Sequence, residues 1–181
     1  MKNRILWITR TAAMLALLVV LQWLTKPAGQ LVTGSCVNGV LALTVLFCGM
    51  SSGLTVALVS PVCAFLFNIA PQILTVPVIM LGNAAFVLIL KLCCGDCRKL
   101  WKNILGLLGA AICKFTLLYV LVTHVICGIL AEGLLAQGLL KAPMLNALPA
   151  TFSIPQLITA LIGGAVALLI CPVLKKALRR N

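Results

Sequence analysis

Asn38, Asn68, Gln72, Asn83, Lys114, Tyr119, His124, Gln156 and Thr159 all fall within or beside long apolar runs, and they are the residues through which this chain can do chemistry. A buried amide or hydroxyl is costly unless it is hydrogen-bonded, so each needs a partner on another segment or on a ligand. Lys114 is the sharpest case. A lysine at the centre of a membrane-spanning helix costs about 2.5 to 3.5 kcal/mol on insertion scales and so faces a cavity or a partner. No acidic residue lies in any apolar run to pair with it. Its ammonium is held by Asn amides and carbonyls, or it snorkels toward an interface, or it receives an anionic ligand such as a carboxylate. For each Asn taken alone, bonding from helix to helix is the simpler role.

Other chemistries are missing. The two acidic residues, Asp96 and Glu132, lie outside the apolar runs and form no pair for general acid and base work. H-E-x-x-H is absent, and the single His124 has no carboxylate to orient it. No Lys follows a Gly, so a Walker A loop is excluded and the chain has no ATPase of its own. Cys93-Cys94-Gly95-Asp96-Cys97 carries a C-x-x-C spacing, but a structural zinc site needs four ligands and no second pair is present, which favours a reduced turn. The nine cysteines are scattered through apolar runs and do not form a disulfide framework. We expect no catalytic residue, no metal and no cofactor.

The elements that position these groups follow from composition. Of 181 residues, 63% are hydrophobic and 9% charged, against about 25% charged in soluble domains, which places the chain in a bilayer. Its net charge of +12 would suggest nucleic acid in a soluble protein, but the basic residues cluster at segment ends, where lipid headgroups and topology explain them. Breaks at 26–29, 49–53, 70–71, 95–103 and 128–154 leave spans near 6–24, 31–48, 54–69, 72–92, 104–127 and 155–174. None shows period-two alternation, so a β-barrel fits poorly and an all-α bundle of six transmembrane helices in a single membrane domain is predicted. With the N-terminus inside, Lys2, Arg4, Arg10, Lys91, Arg98, Lys99, Lys102, Lys175, Lys176, Arg179 and Arg180 lie on the inner side, and only Lys26 and Lys141 on the outer. That asymmetry predicts cytosolic N- and C-termini. Pro61 and Pro77 are read as packing kinks inside spans.

In this arrangement the embedded polar residues lie at the bilayer centre or in its outer half. Asn38, Asn68, Asn83, Tyr119, His124 and Gln156 would share a polar pocket open to the outside, with Lys114 at its floor. Ala12 and Ala16 stand one turn apart on the first helix, a small-x-x-x-small pair that permits close helix approach.

The opening helix, Thr9-Arg10-Thr11-Ala12-Ala13-Met14-Leu15-Ala16, resembles that of the substrate-binding S components of energy-coupling factor (ECF) transporters. The stretches Val32-Thr33-Gly34-Ser35-Cys36-Val37-Asn38, Leu58-Val59-Ser60-Pro61 and Val78-Ile79-Met80-Leu81-Gly82-Asn83 are similar to uncharacterised members of that group. The resemblance spans most of the chain. It implies a subunit of the bacterial plasma membrane that captures a vitamin or other micronutrient from outside. A transmembrane coupling protein and two ABC-type ATPase subunits would drive release inward while the S component topples. It further implies that Ala12 and Ala16 dock on the coupling protein and that the outer connections gate the pocket, the long 128–154 segment serving as a lid. No residue set diagnostic of biotin, riboflavin, thiamine or folate is present; Lys114 suits an anionic or small polar nutrient.

Two other classes compete. A membrane scaffold or assembly subunit would use the same polar residues only to bond helix to helix. A self-sufficient secondary transporter or channel is disfavoured by the lack of an embedded carboxylate and of a visible inverted repeat.

Overall fold

The computed structural model describes residues 2–69, 72–94 and 100–178. The breaks expected at Ala70-Pro71, the residues Asp96 and Cys97 of the cysteine cluster, and Arg179 and Arg180 lie outside the described residues. Helix α1 (Lys2–Thr25) runs into a 3₁₀ turn at Lys26–Ala28, followed by α2 (Gln30–Phe47) and α3 (Met50–Leu66). Gly29 and Gly49 join these three helices at φ of +88° and +100°, a backbone region that side chains disfavour, so each reversal is made in a few residues and the helices are antiparallel neighbours. A second 3₁₀ turn (Ile73–Thr75) leads into α4 (Val76–Cys93), and α5 (Leu100–Tyr119) continues without a break into a π-helical stretch, Val120–Ile129. Short helices α6 (Ala131–Ala136) and α7 (Met144–Thr151) precede α8 (Ile154–Leu178). No strand occurs among the described residues.

Five helical stretches are long and apolar enough to cross a membrane: Arg4–Ala28, Gln30–Phe47, Ile73–Cys93, Trp101–Ile129 and Met144–Leu174. The helix Met50–Leu66 is apolar but shorter. Leu17, Val20, Leu81, Ile112, Leu169 and many other apolar side chains are exposed, which in lipid needs no covering partner.

Two prolines differ in their setting. Pro61 lies inside α3, as expected, but Pro77 sits in the first turn of α4, where its missing N–H had no helical partner to lose, so it starts the helix and does not kink it. The π winding at 120–129 was not foreseen, because an i→i+5 ladder leaves no compositional mark.

The tightest packing is between α2 and α8. Gly34 faces Thr159, and Gly39 faces Gly163. A Cβ on Gly163 would lie 2.6 Å from the backbone nitrogen of Gly39 and 2.9 Å from the Asn38 Cβ, so only glycine allows this approach. Thr159, Gly163, Ala167 and Cys171 form one buried, small-residue face of α8, at four-residue spacing. Elsewhere α6 and α7 pack on the π-helical stretch 120–129, through an apolar cluster that includes Val122 and Ile126 of that stretch, Val78 of α4, Leu118 of α5, Leu140, Leu148 and Phe152.

The segments 26–29, 67–69, 72–75 and 130–153 gather at one end of the bundle. Lys26 Nζ donates to the Asn68 carbonyl at 2.6 Å, and the Gln72 amide nitrogen contacts the Met144 sulfur, tying the three connections to one another.

Candidate functional site

Below that end lies a cavity of about 450 Å³, walled by α1, α2, α3, α4, α5, α7 and α8. Its depth follows from helix register. Ser60 lies six residues before the end of α3, Asn83 seven beyond the start of α4 and Asn38 eight beyond the start of α2. At 1.5 Å per residue these three stand at similar depth, roughly 9–12 Å below the helix ends. Gln22 and Gln156 lie within a turn of theirs, and Lys26 and Gln72 sit in the connections themselves.

Lys114 closes the floor. It is 3% exposed, and its ammonium donates to Asn38 Oδ1 at 2.6 Å and to Asn83 Oδ1 at 2.7 Å, with the Phe86 ring centroid 5.6 Å away. The contact with Phe86 places the positive charge near the electron-rich face of a fully buried ring. Of the arrangements open to Lys114, the one present is capture by two amides; it does not snorkel. An ammonium can only donate, so both amide oxygens turn toward it and both amide nitrogens turn away. Asn38 Nδ2 finds Thr159 Oγ1 at 3.3 Å, and Thr159 in turn donates to the Gln156 carbonyl at 3.1 Å. Asn83 Nδ2 finds nothing.

That absence recurs around the wall. Among the described residues, five buried side-chain polar atoms have no hydrogen-bond partner: Gln22 Oε1, Ser60 Oγ, Gln72 Oε1, Asn83 Nδ2 and Thr123 Oγ1. The first four belong to residues that line this one cavity. Leaving a buried polar group unpaired costs about 1–3 kcal/mol, and most such groups in folded proteins are satisfied. Each of the four is shut off from water in this conformation, so partnering it takes a small adjustment of the wall around a bound molecule.

Of the residues expected to share a pocket, Asn38, Asn83, Lys114 and Gln156 line the cavity. Asn68, Tyr119 and His124 do not. Asn68 is exposed at the end of α3 with φ of +53°, a left-handed conformation that Asn tolerates, and serves through its backbone oxygen. Tyr119 follows Lys114 by five residues, about 140° around a helix, so it turns outward; it is 36% exposed and stacks on Phe115 at 5.9 Å. His124 is exposed too and meets Tyr119 edge to face at 6.1 Å.

Gln22, Ser60, Thr33 and Phe152 line the cavity without having been singled out. A signal for the first two existed: they are uncharged polar residues inside apolar helices, as Asn38 is. Phe152 carries no such signal.

Ala12 and Ala16 are both exposed on α1, while Thr11, Leu18 and Gln22 turn inward. Thr11 donates to the Trp7 carbonyl at 2.7 Å, and its Oγ1 lies 2.8 Å from Ser52 Oγ, fixing α1 against α3. The alanine face is therefore free of the bundle. In the cysteine cluster, Cys93 is exposed and the Cys94 thiol lies 3.5 Å from the Asn103 carbonyl.

An all-helical, multi-pass membrane protein with a largely apolar cavity at one end, into whose wall several polar side chains are set, is the class these observations define. The family model of the substrate-specific component of ECF transporters matches residues 7–175, and the chain belongs to that family. Components of this kind are transport subunits, not enzymes. No curated protein and no solved structure matches the chain.

Proposed function

We propose that this chain captures a vitamin or similar micronutrient from outside a bacterial cell and delivers it inward with the help of separate subunits. The observation that carries this reading is the convergence of four unpartnered buried polar atoms, on Gln22, Ser60, Gln72 and Asn83, around one cavity. In a scaffold whose polar residues only bond helix to helix, such atoms would have found partners across the interfaces. The Lys114, Asn38 and Asn83 network does bond helix to helix, but it accounts for only part of the polarity.

In this reading α1 to α5 and α8 are six spans, Met50–Leu66 crossing as the shortest. The end that carries Lys26 and Lys141 faces outward, and the basic residues at the opposite end face the cytosol. The cavity then opens outward, with α7 beside it as the movable wall. Met144, Leu148 and Phe152 lie against the space that a substrate would fill. Chain energetics require a motor elsewhere, since no nucleotide-binding loop is present; a transmembrane coupling protein with two ABC-type ATPase subunits supplies it. The exposed Ala12 and Ala16 offer a close-packing helix surface for that coupling protein.

The test is co-purification. The tagged chain is extracted from its native membranes in mild detergent and accompanying polypeptides are identified by mass spectrometry. ABC-type ATPases together with a membrane coupling protein are expected. Cell-wall or division proteins, or no partner, would contradict the proposal.

A further inference from the structure

The cavity wall contains more than polarity in general; it has a sign and a gradient. Two ammonium side chains, Lys26 and Lys114, line it, and among the described residues no carboxylate does. Glu132, the acid among the described residues, is not part of the lining. The Lys114 charge is met by two amide dipoles and one ring, all neutral, so no counter-ion is built into the floor.

Hydrogen-bond polarity sharpens this. An ammonium has three N–H groups, and two of them are spent on Asn38 and Asn83. Because Lys114 holds the Asn83 oxygen, the orphaned Asn83 Nδ2 is locked as a donor. Ser60, at nearly the same depth on the neighbouring antiparallel helix, brings a hydroxyl with no partner in the protein, although it is 1% exposed. The floor thus presents donors from three helices and a net positive charge. Nearer the open end the character changes: Gln22 and Gln72 each bring an unpartnered amide oxygen, an acceptor. Between the two levels the walls are apolar, formed by Val37, Pro61, Ala64, Ile79, Leu148 and Phe152.

We infer that the cavity selects a small carboxylic acid with a compact apolar body, its carboxylate received at the floor by Lys114, Asn83 and Ser60. This rests on the cavity being the substrate site. A monoanion fits better than a phosphate ester, because the cost of desolvating an ion rises with the square of its charge, about fourfold for a dianion. The 450 Å³ volume lies toward the small end of ligand sites, which run from about 300 to 1,000 Å³. A carboxylate also offers enough lone pairs to accept from all three donors at once. Ser60 is a positioning and recognition residue here and not part of the fold's own bonding.

The experiment uses the full chain, wild type and Ser60→Ala, in lipid nanodiscs. Thermal unfolding is followed against a panel of monocarboxylic acids small enough for the cavity, each paired with its primary amide and with the phosphate monoester of the matching alcohol. Ser60→Ala is chosen because its hydroxyl bonds nothing in the protein, so its loss leaves the fold intact. The expected result is that at least one acid stabilises the wild type, that its amide and phosphate counterparts bind about tenfold or more weakly, and that Ser60→Ala weakens the acid about tenfold and the amide by clearly less, since a bond to a charged acceptor is the stronger. Equal binding of acid and amide, preference for the phosphate ester, or no effect of Ser60→Ala on the acid would overturn the carboxylate assignment and leave the transport reading standing. No stabilisation by any compound, in a preparation that still co-purifies with ATPase subunits, would likewise overturn only the assignment. No stabilisation and no ATPase partner would overturn both.

Discussion

Lys114 Nζ donates to Asn83 Oδ1 at 2.7 Å, and this single bond decides which end of the Asn83 amide is left for anything else. The lysine on α5 therefore acts on two levels. It links α5 to α4 and, through Asn38, to α2, and it fixes the polarity of a group in the cavity wall.

Removing the lysine leaves two buried amide oxygens without a donor. Lys114→Met should lower the unfolding temperature in nanodiscs, by a destabilisation of about 2–5 kcal/mol for the pair. The triple variant Lys114→Met, Asn38→Leu, Asn83→Leu replaces the whole network with apolar groups and should recover most of that loss, while ligand binding is lost in both variants. A triple variant as unstable as the single one would show that the network's worth lies in packing.

The α2 and α8 contact tolerates no side chain at Gly163. Gly163→Val should prevent folding, read as loss of monodisperse protein in detergent, because the Cβ alone would press on the Gly39 backbone. Gly109, whose Cβ would meet nothing within 4 Å, supplies the control: Gly109→Ala should be neutral or slightly stabilising.

Ala12→Trp and Ala16→Trp alter a face that the bundle does not use. Both variants should fold and unfold like the wild type, yet lose the ATPase and coupling subunits on purification. Retention of those partners would move the docking surface elsewhere on the molecule.

Tyr119→Phe and His124→Ala should leave ligand affinity within about twofold, since neither residue reaches the cavity. Gln22→Leu should weaken it about tenfold by removing an amide from the wall. Equilibrium binding of whichever compound co-purifies measures all three, and a large loss in Tyr119→Phe would contradict the geometry.

Much of this was legible from residue types. Lys114 without an acid in any apolar run announced a special environment, with Asn amides among the groups able to supply it; which of them do so was not legible. Helix existence followed from the apolar runs, and Gly29 and Gly49 stand at two of the helix junctions. Rotation about each helix axis was not legible, because an all-round apolar segment has no face that marks the core, so Tyr119 and His124 could not be told from inward groups. The same ambiguity hid Gln22 and Ser60. The small-residue face of α8, Thr159 with Gly163 and Ala167, was present in the sequence at four-residue spacing, but its meaning depends on the opposing glycines of α2, 120 or more residues away along the chain.

The most direct test of the central claim is native mass spectrometry of the chain released from gentle detergent, comparing wild type with Ala64→Trp. Ala64 is 4% exposed, lines the cavity and takes no part in the Lys114 hydrogen bonds, so an indole there occupies space a substrate would fill and leaves those residues in place. The wild type should carry a small-molecule adduct that Ala64→Trp lacks, both proteins being folded by their unfolding curves. An adduct retained by both, or carried by neither, would contradict the assignment of this cavity as the place where substrate is held.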